Sequence, residues 1–178
     1  MQFIETNIAG VWLLQPDLLE DERGFFARTW CSQQFDEKGL NSSLSQCSVS
    51  FNKTAGTLRG MHYQLSPNEE DKLVRCTMGA IYDVALDLRP TSSSYKQWVA
   101  FELSASNRNM LYIPGGVAHG FQTLEDSSEV FYQISQPFVP ESASGVRWDD
   151  QAFSIKWPDV SSPRVMSDKD RHYPDYTG

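Results

Sequence analysis

Histidine and cysteine are both scarce in this chain, three of each among 178 residues. Cys31, Cys47 and Cys76 are odd in number and contain no Cys-x-x-Cys pair, so neither a disulfide framework nor a thiolate zinc site is expected. They read as reduced, partly buried thiols without a nucleophile signature. Basic charge is short as well. Fifteen Lys and Arg against 23 Asp and Glu leave a net charge of −8, which argues against nucleic acid as a partner, because phosphate-backbone binding needs a basic face. Long apolar runs are missing too, with no stretch near the roughly 18 residues of a membrane span. The opening Met1-Gln2-Phe3-Ile4-Glu5-Thr6 lacks the basic n-region and apolar run of a signal peptide. The expectation is a soluble cytoplasmic protein with no membrane partner.

Aromatic residues are plentiful: five Trp, ten Phe and seven Tyr within a hydrophobic share of 40%. A chain of this length buries roughly 70% of its unfolded surface, so residues 1–178 read as a single domain with a real core. Short β-runs split by Gly, Pro, Asn and Ser are expected at Val11 to Leu14, Phe25 to Trp30, Ser45 to Phe51, Lys72 to Thr77, Ile81 to Leu88, Trp98 to Leu103, Met110 to Ile113 and Glu129 to Ile134. The fold class is therefore mainly β, a barrel or sandwich with a few short helices. Alternation in the run from Ile81 puts Ile81, Asp83, Ala85 and Asp87 on one face and Tyr82, Val84, Leu86 and Leu88 on the other, the second reading as the core side. A helix is expected from Gln33 to Lys38, with Ser32 as N-cap and Gly39 just past its end. The tail from Trp157, rich in Pro, Ser and Asp, reads as irregular structure or short helical turns.

Two of the histidines sit in glycine-punctuated strands, Leu58-Arg59-Gly60-Met61-His62-Tyr63-Gln64 and Pro114-Gly115-Gly116-Val117-Ala118-His119-Gly120-Phe121. A metal site needs about three or four converging ligands. Only His172 remains as a third histidine, and strand alternation places Gly60 and Gln64, both poor ligands, beside His62. A lone imidazole can instead do metal-free acid/base chemistry when a carboxylate holds its other nitrogen. From these residues alone His62 is equally compatible with a satisfied core histidine. Arg23, Arg59, Lys72 and Arg75 add cations suited to an anionic substrate, although solvated surface charge is the bland explanation for some of them.

The blocks Asp21-Glu22-Arg23-Gly24-Phe25-Phe26, Leu58 to Gln64, Lys72-Leu73-Val74-Arg75, Tyr82 to Arg89, Ala118-His119-Gly120-Phe121 and Ser167-Asp168-Lys169-Asp170 occur in an order and spacing that resembles the dTDP-4-dehydrorhamnose 3,5-epimerases over nearly the full length. The resemblance implies a cupin-type jelly roll, no metal or organic cofactor, and a homodimer in which an N-terminal strand can pair with the partner's sheet. It implies action on a nucleotide-linked 4-keto-6-deoxyhexose, inverting C3 and C5 to give the rhamnose precursor. His62 matches the general base, oriented by Asp170, with Asp168 the near competitor. Tyr132 matches the acid on the opposite face, although on residue type alone it reads as a core aromatic. Lys72 and His119 match positions lining the sugar, with Lys72 suited to a developing oxyanion at O4. Arg23, Arg59 and Lys169 match positions around the nucleotide diphosphate.

Departures fall at substrate-contacting positions. Gln46-Cys47-Ser48 stands where many members carry Gln-x-Asn, and Arg28 stands where they carry glutamate. A glutamate expected just before the Gly-x-x-Trp block is displaced, Ser144 preceding Gly145 and Glu141 being the nearest candidate. The reaction class is therefore better defined than the sugar. A mono-epimerase or isomerase of another 4-keto sugar nucleotide, a sugar-binding module without turnover and a metal-dependent oxygenase are the competing readings.

Overall fold

The computed structural model describes residues 1–161 and 163–178; Ser162, within the tail expected to be irregular, lies outside them. In chain order the strands begin with β1 (Gln2–Glu5), β2 (Trp12–Gln15), β3 (Leu18–Asp21), β4 (Gly24–Ala27), β5 (Gln46–Asn52), β6 (Leu58–Gln64) and β7 (Lys72–Met78). They continue as β8 (Ala80–Asp87), β9 (Trp98–Ser104), β10 (Met110–Ile113), β11 (Val117–Thr123), β12 (Ser128–Ile134) and β13 (Ala143–Gly145). Helices α1 (Ser32–Glu37) and α2 (Asp168–Arg171) are short.

Two antiparallel sheets face each other, one ordered β1-β2-β10-β7-β12-β5 and the other β13-β6-β11-β8-β9. Between them lies a core drawn from both: Leu13, Val74, Cys76, Leu111, Ile113 and Val130 meet Ile81, Ala85, Leu103, Val117 and Phe121. Sheets that pack face to face interdigitate the inward side chains of each strand, which is why period-2 runs dominate the sequence.

Both sheets are also covered from outside. Met61, Val84, Leu86, Leu88 and Ala118 pack beneath Val146, Phe153 and Ile155, on the chain that follows β13. Phe35 of α1 packs with Leu14, Leu73, Met110 and Tyr112 on the other sheet. Fully burying such a phenylalanine contributes about 1.5–3 kcal/mol.

This double cover reverses one expectation. Ile81 and Ala85 face the inter-sheet core, and Asp83 and Asp87 on the same face are fully buried, while the Val84 and Leu86 face lies under the C-terminal segment. Helix α1 starts a residue earlier than expected: its N-cap is Cys31, not Ser32, and no side chain caps it. Gly39 does follow its end, at φ +67. The strand expected to reach Trp30 stops at Ala27, because β4 pairs only with β3 in a separate two-stranded hairpin and Trp30 turns to pack on Phe35.

Candidate active site

The cavity is set by an irregularity in β6. His119 pairs with His62, yet two residues further along β11 Phe121 pairs with Arg59, three residues back, so β6 carries one extra residue there. Strict alternation would put Gly60 on the face of His62. The bulge puts Arg59 there instead, and both line the same cavity. Only glycine fits at position 60: its φ is +125, and a Cβ would meet Gly120 Cα at 2.5 Å.

That cavity has a volume of about 780 Å³. Its walls include Gln46, Ser48, Arg59, His62, Lys72, His119, Tyr132, Lys169 and Asp170, all of which the sequence nominates. His62 is carried by β6 of the five-stranded sheet and Tyr132 by β12 of the six-stranded one, so they stand on opposite walls.

His62 Nε2–H donates to Asp170 Oδ1 at 2.7 Å across 108 positions of sequence. Helix α2 delivers the carboxylate, its Ser167 side chain capping the Asp170 N–H, and the Gly60 N–H donates to the second oxygen at 3.3 Å. Burial pushes the Asp170 carboxyl up, but the hydrogen bond and charge of His62, with the Gly60 N–H and Ser167, hold it below the usual range. Asp168 is exposed, and its carbonyl pairs with His172. The dyad leaves the lone pair of His62 on Nδ1, and the ring, 43% exposed, is open to the cavity.

His119 is almost fully buried, its Nε2 2.7 Å from Asp83 Oδ1. Burial raises Asp83 despite the charges of His119 and Lys72. The rings of His119 and Tyr132 meet edge to face, centroids 6.1 Å apart. Burial and the charge of Asp83 push the Tyr132 hydroxyl well above the usual phenol range, with Arg59 opposing, so it stays protonated through neutral pH. Lys72 Nζ lies 2.7 Å from Glu70 Oε1, and Arg59 Nε donates to Asn52 Oδ1 at 2.8 Å.

Arg23 and Arg28 are not in this cavity. Arg23 lies in the β3–β4 turn, its side chain 89% exposed and bonded to Asp21, and Arg28 is exposed just beyond β4. Glu141 sits in a short 3-10 turn and does not line the cavity, whereas Ala143 and Ser144 do. Sequence reasoning missed Asn52, Glu70 and the pairing role of Asp83. The signal for Asp83 is a carboxylate set between Ile81 and Ala85 on one face of a strand; Glu70 lies in a loop and leaves none.

A two-sheet cupin-type jelly roll with a His–Asp pair on one wall and a protonated tyrosine on the other defines a candidate proton-transfer enzyme without further geometry. A family model described as dTDP-4-dehydrorhamnose 3,5-epimerase matches residues 5–177. The chain belongs to that family. It is 40% identical over 174 residues to the dTDP-4-dehydrorhamnose 3,5-epimerase of Sinorhizobium fredii, covering 98% of this chain and 89% of the relative. The Bacillus anthracis enzyme of the same name, solved with TDP and PPi bound, is 42% identical with a TM-score of 0.93, covering 98% of this chain and 99% of that one. A Legionella pneumophila dTDP-6-deoxy-D-glucose-3,5-epimerase solved with dTDP-4-keto-L-rhamnose is 34% identical with a TM-score of 0.88, covering 95% and 89%.

Proposed function

We propose that residues 1–178 work as one catalytic domain, an isomerase that inverts C3 and C5 of dTDP-4-dehydro-6-deoxyglucose and forms dTDP-4-dehydrorhamnose. The observation that carries this reading is the His62–Asp170 pair facing Tyr132 from the opposite sheet. A carbon α to a ketone is inverted by losing a proton from one face and gaining one on the other, so base and acid must stand apart across the substrate.

In this scheme His62 Nδ1 takes the proton from C3 or C5, and Asp170 stabilises the resulting imidazolium as the aspartate of a Ser-His-Asp triad does. The electron pair of the broken C–H bond moves to O4 as an enolate. Lys72 donates to that oxygen, an interaction that strengthens as charge develops. Tyr132 returns a proton to the opposite face of the carbon, and exchange with water resets both groups. Both carbons flank the same C4 ketone, so one base and one acid serve both steps. Arg59 and Lys169 suit the diphosphate, His119 the sugar, and Gln46 and Ser48 the remainder of the nucleotide sugar.

The partner we propose is a second copy of the chain. The β3–β4 hairpin stands off both sheets with Leu19 66% and Phe26 69% exposed, an apolar surface that monomeric proteins rarely leave open. It carries Arg23 in its turn and Arg28 just past its end, and in a homodimer it can bring them to the neighbouring cavity. Strand β1, at the edge of its sheet, is free to pair on one side. No helix among the described residues is long and apolar enough to cross a membrane. Three free thiols fit the reducing cytoplasm.

The test is incubation with dTDP-4-keto-6-deoxyglucose in deuterated water, with the label located by NMR. Deuterium at both C3 and C5 is expected. Label at one carbon makes the protein a mono-epimerase, and its absence from both overturns the reading.

A further inference from the structure

Only two carboxylates line the cavity among the described residues, Asp170 and Glu70. Asp170 is committed to His62 and to the Gly60 N–H. Glu70 reaches in from the segment between β6 and β7, and its Oε1 lies 2.7 Å from Lys72 Nζ, each side chain 9% exposed. A carboxylate here works against binding of a diphosphate, so its presence calls for an offsetting gain. From this geometry we propose that Glu70 is the positioning residue of Lys72, fixing where the ammonium points and thereby the stabilisation available to a developing enolate. The inference rests on the epimerase reading.

Lys72 has a long flexible stem, and no other side-chain partner holds its Nζ among the described residues. An ammonium has three N–H donors. Glu70 holds that ammonium as an ion pair at 2.7 Å, which orders the stem and leaves N–H groups free for the cavity. The rotamer entropy of the lysine is then lost before the substrate arrives rather than on the way to the transition state. Electrostatic stabilisation of an oxyanion depends on this kind of prior placement. Neighbouring charges fit the same picture: Lys72 acts electrostatically on Asp83, which holds His119, so the pair sits within the wall that the sugar faces.

The experiment compares wild type, Glu70→Ala, Glu70→Gln, Lys72→Ala and the double variant Glu70→Ala/Lys72→Ala, measuring kcat, KM and the rate of deuterium entry at C3 and C5. Glu70→Ala is expected to lower kcat about 10- to 100-fold with KM nearly unchanged, a loss confined to the transition state. Glu70→Gln keeps an acceptor oxygen at the same reach and is expected to recover most of that loss. The double variant is expected to be no slower than Lys72→Ala, because Glu70 acts only through the lysine. A kcat for Glu70→Ala at or above wild type overturns the proposal, as does a double variant slowed by the product of the two single losses. If Glu70→Ala does not fold, Glu70→Asp, one methylene short, replaces it: loss of kcat in Asp but not in Gln supports the proposal, and equal rates overturn it. Wild-type protein that takes up no deuterium sinks the epimerase reading instead, so the two failures are distinct.

Discussion

Arg59 and His62 line one cavity although they stand three positions apart on a single strand, because β6 carries an extra residue between them. On the proposed reading, the proton-abstracting group and a phosphate-binding group therefore share one rigid element. Base and anchor hold their spacing without help from a loop.

Removing the base should separate chemistry from binding. For His62→Ala the rate of solvent exchange at C3 and C5 is expected to fall by about 10²–10⁴. Affinity for TDP should hold, since Arg59 and Lys169 are untouched. Calorimetric titration beside NMR exchange checks both, and equal loss of the two would mean that His62 supports the cavity rather than the reaction.

Tyr132→Phe should have a different signature. His62 still removes and returns protons on its own face, so deuterium continues to enter the substrate while epimerised product falls by about 10²-fold or more. Product that keeps forming at the wild-type rate would assign the second proton to water.

Gly60→Ala tests the bulge. A Cβ there meets Gly120 Cα at 2.5 Å and His119 O at 2.8 Å, both backbone atoms, at φ +125. The expected cost is about 3 kcal/mol, which lowers Tm by roughly 6–12 °C in a domain of this size. Gly24→Ala, with φ +128 and nothing within 4 Å of the added atom, should lose clearly less. Equal losses would show that backbone conformation alone matters.

Acid stability should depend on Asp87. Burial pushes its carboxyl up, but the Arg89 guanidinium, the Ser92 and Ser94 hydroxyls and the Arg89 N–H bring it down to about 2 from an ordinary 3.8. A folded value below the unfolded one contributes stability above about pH 4 that is lost as the pH falls toward about 2. Asp87→Asn should unfold more easily than wild type at neutral pH and approach it near pH 2. A gap independent of pH in denaturant titrations would refute the assignment.

The hairpin surface predicts assembly. Wild type should sediment as two copies, and Leu19→Glu with Phe26→Glu should shift it toward one copy with weaker substrate binding, as Arg23 and Arg28 leave the neighbouring cavity. A wild-type monomer with full activity would exclude a shared site.

Much of this arrangement is legible in residue order. Most of the β-runs are, because one face of these strands meets the inter-sheet core, which β4 and β5 do not enter. The choice of face on β8 is not: alternation identifies the buried side only when the other side is wet, and both sides of β8 are covered. The resemblance nominates Arg59, but alternation alone does not put it beside His62, since one added residue shifts every side chain before it to the other face. Asp170 emerges from the resemblance alone, for nothing local ties it to a histidine 108 positions away. Glu70 follows no period, and a single chain gives Arg23 and Arg28 no cavity to enter.

Asp170 belongs to neither sheet; it rides on a four-residue helix docked beside β6. A protease that cuts the segment between β13 and α2 could leave both sheets intact and yet strip the imidazole of its carboxylate. Circular dichroism would then report an unharmed β-protein while turnover disappeared. For anyone purifying this protein, catalytic rate is a stricter measure of an intact molecule than any signal from its strands.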